Sequence, residues 1–278
     1  MKGALVWLGL VATASFVAPL LAGALGLDVS AVDLLDRFAS PSTAHPLGTD
    51  ELGRDTLLRL LEGGRVSLTI GVAAALAAAA IGTAIGLASG YLGGWVDRVL
   101  MRATDGVIAL PLLPLLIVLA ALDLGKLGLP PSWTQSEEIS LLRIAALAVL
   151  VGWTTAARLV RSATLVARNR DFVRAAHSLG ASVPHILIWH ILPNVLGPLV
   201  VASTLSVGDI ILLESVLSFL GLGVQPPLAS WGSMLTNAQE LATAAPLLAI
   251  YPGAMIFITV AACNLLGDGL LRRYERRA

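Results

Sequence analysis

An all-α fold that crosses a lipid bilayer several times is the class this sequence predicts, and three observations predict it. Apolar residues fill 56% of the 278 positions, charged residues only 13%, and the mean hydropathy is +0.85, more apolar than a soluble domain of this size needs to be. Several stretches reach the roughly 20 apolar residues that a crossing takes. Backbone groups in lipid must be satisfied within their own segment, so helices are the expected form.

Six spans are expected, near residues 4–26, 66–90, 103–122, 139–157, 191–215 and 245–268. For the first, Lys2, the apolar run and the small residues Ala22, Gly23 and Ala24 fit a cleaved signal peptide as well as a retained helix. A single n-region lysine and a run extending to Leu27 favour the retained anchor. Before the second span, Asp50, Arg54, Asp55, Arg59 and Glu62 read as one charged helix face with i, i+4 pairs. Within the second span, Ala74, Ala78, Gly82, Gly86 and Gly90 recur every fourth residue, a stripe that lets helix backbones approach closely. Gly90, Gly93 and Gly94 are expected to turn the chain into the loop that follows.

The third and fourth spans are the shortest. Asp105 to Asp123 encloses 17 uncharged residues and Arg143 to Arg158 encloses 14, so Arg143 must snorkel or face protein. In the fifth span Asp209 and Glu214 are ionisable groups that cost about 2.5–3.5 kcal/mol each near the bilayer centre. Five residues separate them, about 140° around a helix, so they do not share a face. Asp209 reads either as lining a translocation path that favours cationic or amine-bearing substrates, or as a neutral hydrogen-bonding group between spans. After the fifth span, Pro226, Pro227 and Trp231 are expected in a turn and a short helix that caps the outer vestibule beside residues 41–65.

Net charge is zero, but its distribution is uneven. With the N-terminus cytoplasmic, twelve of the eighteen lysines and arginines fall on the inner side, including Arg158, Arg161, Arg168, Arg170 and Arg174. That bias favours cytoplasmic termini. The lone Cys263, inside an apolar run, supports neither a disulfide nor a metal cluster.

One polar island, Asn169 to Asn194, then lies in the cytoplasm. Its first part reads as a short helix with Asp171 as N-cap and Gly180 closing it. Phe172, Ala175, Ala176 and Leu179 fall at i, i+3, i+4 and i+7 and share a face. Such a helix is too short to stand alone in water, so it is expected to dock. An amphipathic helix lying on the lipid surface is the other reading of the spacing. His177, His185 and His190 are eight and five residues apart, not the i, i+4 spacing of a helical metal site. The chain holds no G-x-x-x-x-G-K-[ST], so an ATPase driving it is a separate polypeptide.

The island resembles the coupling loop of ATP-binding-cassette importer permeases, whose pattern is E-A-A, three residues, G, nine residues, then I-x-L-P. Arg174, Ala175, Ala176 and Gly180 match its first part, and Leu192 and Pro193 its close; Arg174 and His190 depart from it. The form DFVRAAHSLGAS…HILPN is similar to the dipeptide/oligopeptide/nickel branch. HPLGTDELGRDTLLRLLEGGRVSL, GYLGGWVDRVLMRATD and LESVLSFLGLGVQPPLASWGSML agree with the C-type subunit of that branch. The resemblance runs from about residue 4 to 270.

This resemblance implies a six-helix, type I (MetI-like) importer permease. Residues 1–65 would be an N-terminal span plus extracytoplasmic segment, and 66–278 a five-helix core with its coupling loop at 169–190. It implies a non-catalytic subunit in a bacterial or archaeal cytoplasmic (inner) membrane, importing di- or oligopeptides or related small solutes, nickel included. The chain itself would hold no cofactor, ATP and Mg being bound by two separate ATP-binding cassette subunits. A second permease subunit of B type and an extracytoplasmic substrate-binding protein would complete the system. Glu214 matches the family's LxEAxLSFLG segment and would support the outer gate. The competing function class is an ion-coupled secondary transporter that uses Asp209 and Glu214 as carriers. Against it stand the lack of internal repeats and the unexplained polar helix.

Overall fold

A computed structural model describes residues 1–24, 28–29, 31–122, 125, 136–238, 241, 243 and 245–275. Lys126, Arg276 and Arg277 of the charge count, Asp123, Leu27 and the last residues of the expected first span lie outside the described residues. The fold is a helical bundle of α1 (Lys2–Ala24), α2 (Thr56–Leu92), α3 (Gly94–Ala109), α4 (Leu112–Ala121), α5 (Glu137–Ala167), α6 (Asp171–Ser178), α7 (Val183–Phe219) and α8 (Pro246–Glu275). Five of these are long and apolar enough to cross a membrane, six when α3 and α4 count as one bent span.

That bend corrects the expected third span. α3 and α4 meet at 84°. The cause is Pro111: the residue before a proline is pushed out of the helical region, and Leu110 is extended at φ −75°, ψ 139°. α5 instead outruns its expected span of 139–157 at both ends. Arg143 faces protein, donating to the carbonyl oxygens of Leu119 (3.3 Å), Ala120 and Leu122 (3.0 Å) at the end of α4. Beyond the apolar run, Arg158 pairs with Asp105 at 2.6 Å, and Arg161 holds Asp97 with two bonds, one of 2.6 Å.

α2 is the central element. Its 37 residues, about 55 Å at 1.5 Å per residue, run continuously across residue 65. The expected charged helix face is corrected. Asp50, Arg54 and Asp55 precede the helix, and Asp55 caps it by accepting from the Leu58 N–H at 2.8 Å. Asp50 still pairs with Arg54 (2.7 Å) and with buried Arg59 (3.3 Å), but in a folded turn. The Ala/Gly stripe is an intramolecular seam against α5. A Cβ at Gly86 would sit 2.6 Å from Val160 Cβ and 2.7 Å from the Ala157 oxygen. Gly90 belongs to that seam and not to the turn, which Gly93 (φ +67°) and Gly94 (φ +56°) make.

α1 packs Val11 and Trp7 against Leu60, Ile256 and Val260. The helices place the chain's two ends of the bundle unambiguously. α2 ends, α3 begins and α6 lies at an arginine-rich end; α2 and α5 begin at the opposite end.

Candidate functional site

At the arginine-rich end the polar island forms the expected short helix, with its N-terminal end revised. Arg170, extended at φ −75°, ψ 150°, is the N-cap; Asp171 is the first helical residue and makes no capping bond. Its carboxylate sits where the helix dipole favours negative charge, 3.9 Å from the exposed Arg174 guanidinium. The other end closes as expected. Gly180, at φ +80°, donates to the His177 oxygen and Ala181 to the Ala176 oxygen, each at 3.0 Å, which is the Schellman arrangement that favours glycine.

Of the face expected to dock, only Ala176 turns inward. Val173 and Ala176 are buried, packed in a cluster with Ala167, Ile186, Ile191 and Val195. Phe172, Arg174 and Ala175 are exposed, and Leu179 is 88% exposed. Leu179 is the C-cap, with ψ 3°, so it has left the helical register that placed it beside Phe172 and Ala176. A two-turn helix can anchor through one i, i+3 pair and little more. Ala176 is thus a bolt to the bundle, while Phe172, Arg174, Ala175 and Leu179 remain presented outward. Val173 lies outside the i, i+3, i+4, i+7 set that includes Leu179. Its i, i+3 spacing from Ala176 and the nearby Ile186 and Ile191 were the available signal.

Two recesses flank α6. One of about 600 Å³ is lined by Phe172, Asn194, Pro198 and Tyr274; the other, of about 370 Å³, by Tyr91, Arg168, Arg174 and His177. Arg168 also fastens this end to α2, its Nη1 donating to the Gly90 oxygen at 3.0 Å.

Leu192 and Pro193, expected to kink or begin the fifth span, open its regular α-helical part, but the helical rod they belong to begins earlier. The helix starts at Val183, with Pro184 in its first turn, and continues through Pro193 to Phe219. Proline brings no N–H to the helical ladder. The ladder adjusts by widening over Ile186–Ile191, where Leu192 N–H donates five residues back to Leu187; such wide turns are rare and mostly local. Asn194 Nδ2 donates to the His190 oxygen at 2.7 Å. The widening also corrects the histidine reading. It brings His185 and His190, five apart, onto one face with ring centroids 5.6 Å apart. Among the described residues no group of three or more His, Cys, Asp or Glu could hold a metal ion.

The two acids of the fifth span are kept apart. Asp209 is exposed on α7, whereas Glu214 is 1% exposed. Glu214 accepts from Ser67 on α2 at 2.9 Å and from Ser218 at 2.6 Å. Those serines in turn accept the N–H groups of Trp231 (3.3 Å) and Val224 (3.1 Å). Trp231, expected at a capping surface, is fully buried and donates Nε1 to the Leu60 oxygen at 2.9 Å. Its indole needs a partner once desolvated, and α2 supplies one. The expected capping helix is a single 3₁₀ turn, Ser233–Leu235; Gln239 and Glu240 lie outside the described residues.

Comparison with known proteins matches residues 82–278 to the family model described as "Binding-protein-dependent transport system inner membrane component". The oligopeptide transport system permease protein OppC of Escherichia coli K12 is 44% identical over 228 residues, covering 82% of this chain and 71% of that protein. OppC of Bacillus subtilis is 37% identical over 243 residues, 87% of this chain and 75% of that protein. The glutathione transport system permease protein GsiD of Pectobacterium atrosepticum is 40% identical over 230 residues, 83% and 72% respectively.

Proposed function

The chain belongs to the family of binding-protein-dependent transport system inner membrane components, and from that premise we propose that it forms half of a translocation path for di- or oligopeptides or related small solutes, nickel being a further candidate. The permeases named above handle oligopeptides and glutathione, which supports the peptide reading. The membrane component itself is a transport subunit. Its proposed partners are a second permease subunit of B type, two separate ATP-binding cassette subunits and an extracytoplasmic substrate-binding protein. ATP and Mg belong to the cassette subunits, and this chain carries no cofactor. The arginine-rich end with α6 faces the cytoplasm, as the positive-inside bias supports.

The single observation that carries the coupling role is the division of labour on α6. Val173 and Ala176 bolt it to the base of α7, while Phe172, Arg174, Ala175 and Leu179 stand outward. Force on the outer face passes through Gly180 and the widened turns before Leu192 and Pro193 into a spanning helix. Asp209, exposed on α7, lines the path in this reading and favours cationic or amine-bearing substrates. Glu214 holds the opposite end rigid.

The test is co-purification from membranes. Phe172→Glu with Leu179→Glu should release the cassette subunits and abolish uptake, while the chain still inserts and pairs with its permease partner. Retention of cassette subunits and normal uptake would refute the assignment. Proton-driven uptake by this chain alone would favour an ion-coupled carrier instead.

A further inference from the structure

A groove of about 580 Å³ runs between α1, α2 and α5 at the end of the bundle opposite the short helix. Its floor is apolar, built by Val66, Ile70 and Ala73 of α2 and by Leu141 and Ala145 of α5, with Phe16 of α1 as a wall. Its charged residues gather at one end: Glu62 and Arg65 in the early turns of α2, and Glu138 in the first turn of α5. Thr69, the remaining polar residue along α2 there, turns its hydroxyl back to the Arg65 oxygen at 2.6 Å.

Three features select the occupant. From Val66 to Ala73 the apolar part of the groove follows α2 for about 10 Å at 1.5 Å per residue, within one leaflet of a hydrocarbon core about 30 Å thick. The floor offers no donor or acceptor, so a peptide laid along it would bury its N–H and C=O groups unpaired, which is costly. An acyl chain has no such groups. The charged end carries both signs, complementing a headgroup that also carries both.

We propose that this groove holds one acyl chain of a zwitterionic aminophospholipid, its phosphate at Arg65 and its ammonium at Glu62 and Glu138. A primary ammonium donates hydrogen bonds to carboxylates; a trimethylammonium cannot. Phosphatidylethanolamine is therefore preferred over phosphatidylcholine, and over anionic phosphatidylglycerol, which lacks the cation. The inference stands on the spanning helices and does not depend on the transported substrate.

The test equilibrates the assembled, detergent-purified transporter with equal amounts of palmitoyl-oleoyl phosphatidylethanolamine, phosphatidylcholine and phosphatidylglycerol, and reads the retained lipid by native mass spectrometry. Phosphatidylethanolamine should be retained preferentially. Arg65→Gln should reduce its retention about tenfold, the size of one lost charge-assisted hydrogen bond, and Arg65→Lys should restore most of it. Ala145→Trp, which fills the floor, should abolish retention with assembly intact; if it prevents assembly, the Arg65 pair at an exposed position carries the test. Equal retention of the three lipids, or retention unchanged by both Arg65→Gln and Ala145→Trp, would overturn the proposal. So would displacement of phosphatidylethanolamine by added tripeptide, or a partner subunit found filling the groove.

Discussion

Ser67 on α2 donates its hydroxyl to the Glu214 carboxylate on α7 across 2.9 Å, though 147 positions separate them in the chain. Two helices and the returning loop at Val224 and Trp231 thereby share one buried acid. Glu214→Ala leaves two buried hydroxyls without their acceptor, at about 1–3 kcal/mol per group. Thermal unfolding of the detergent-purified chain should show a clearly lower midpoint. Glu214→Gln keeps one acceptor oxygen and should lose less; equal midpoints for the two variants would contradict this account.

The seam between α2 and α5 depends on missing side chains. Gly86→Leu must displace Val160 or the backbone at Ala157, an overpacking cost of about 1–3 kcal/mol. We expect a reduced yield of folded protein in membranes. Gly106, around which a Cβ meets nothing within 4 Å, is the control: Gly106→Ala should leave the yield unchanged.

Arg143 closes the end of α4 by donating to Leu119, Ala120 and Leu122. Arg143→Leu should free those carbonyls and loosen the last turn of α4. A cysteine placed at Ala121 should then react faster with a membrane-impermeant maleimide than it does beside Arg143. An unchanged labelling rate would mean that the cap contributes nothing to the order of that turn.

Gly180 adopts φ +80° with open space around it, so the objection to a side chain there is conformational and not steric. Gly180→Val forces a β-branched residue into the left-handed region, at a cost of roughly 1–2 kcal/mol. Uptake should fall while insertion persists. Gly180→Asn, which tolerates that region, should retain more uptake; if valine and asparagine behave alike, the left-handed turn is not needed for coupling.

Much of this architecture was legible from apolar length, Gly/Ala spacing and the island's end signals. Gly180 and the 74–90 stripe act where local rules put them, because a positive φ and a close helix approach are each decided by one or two residues. Less legible were features that need a partner distant in the chain. Val173, and not Phe172 or Leu179, became the buried anchor because Ile186 and Ile191 occupy the space beneath it. Trp231 looked interfacial until the Leu60 oxygen satisfied its indole. His185 and His190 share a face only because the turns between them are wide, which α-helical spacing does not predict.

By itself the sequence determined that this chain is a multi-helix membrane protein with a short polar helix between two spans, since bilayer thickness and backbone hydrogen bonding leave few alternatives. Only the tertiary structure decided how α3 and α4 break at Leu110–Pro111, which face of α6 is bolted down and which presented, and that Glu214 is a buried tie while Asp209 is left exposed on the same helix. Apart from that break, whose position Pro111 sets locally, those outcomes depend on which groups meet across the bundle, and periodicity along a single helix carries no record of what will pack against it.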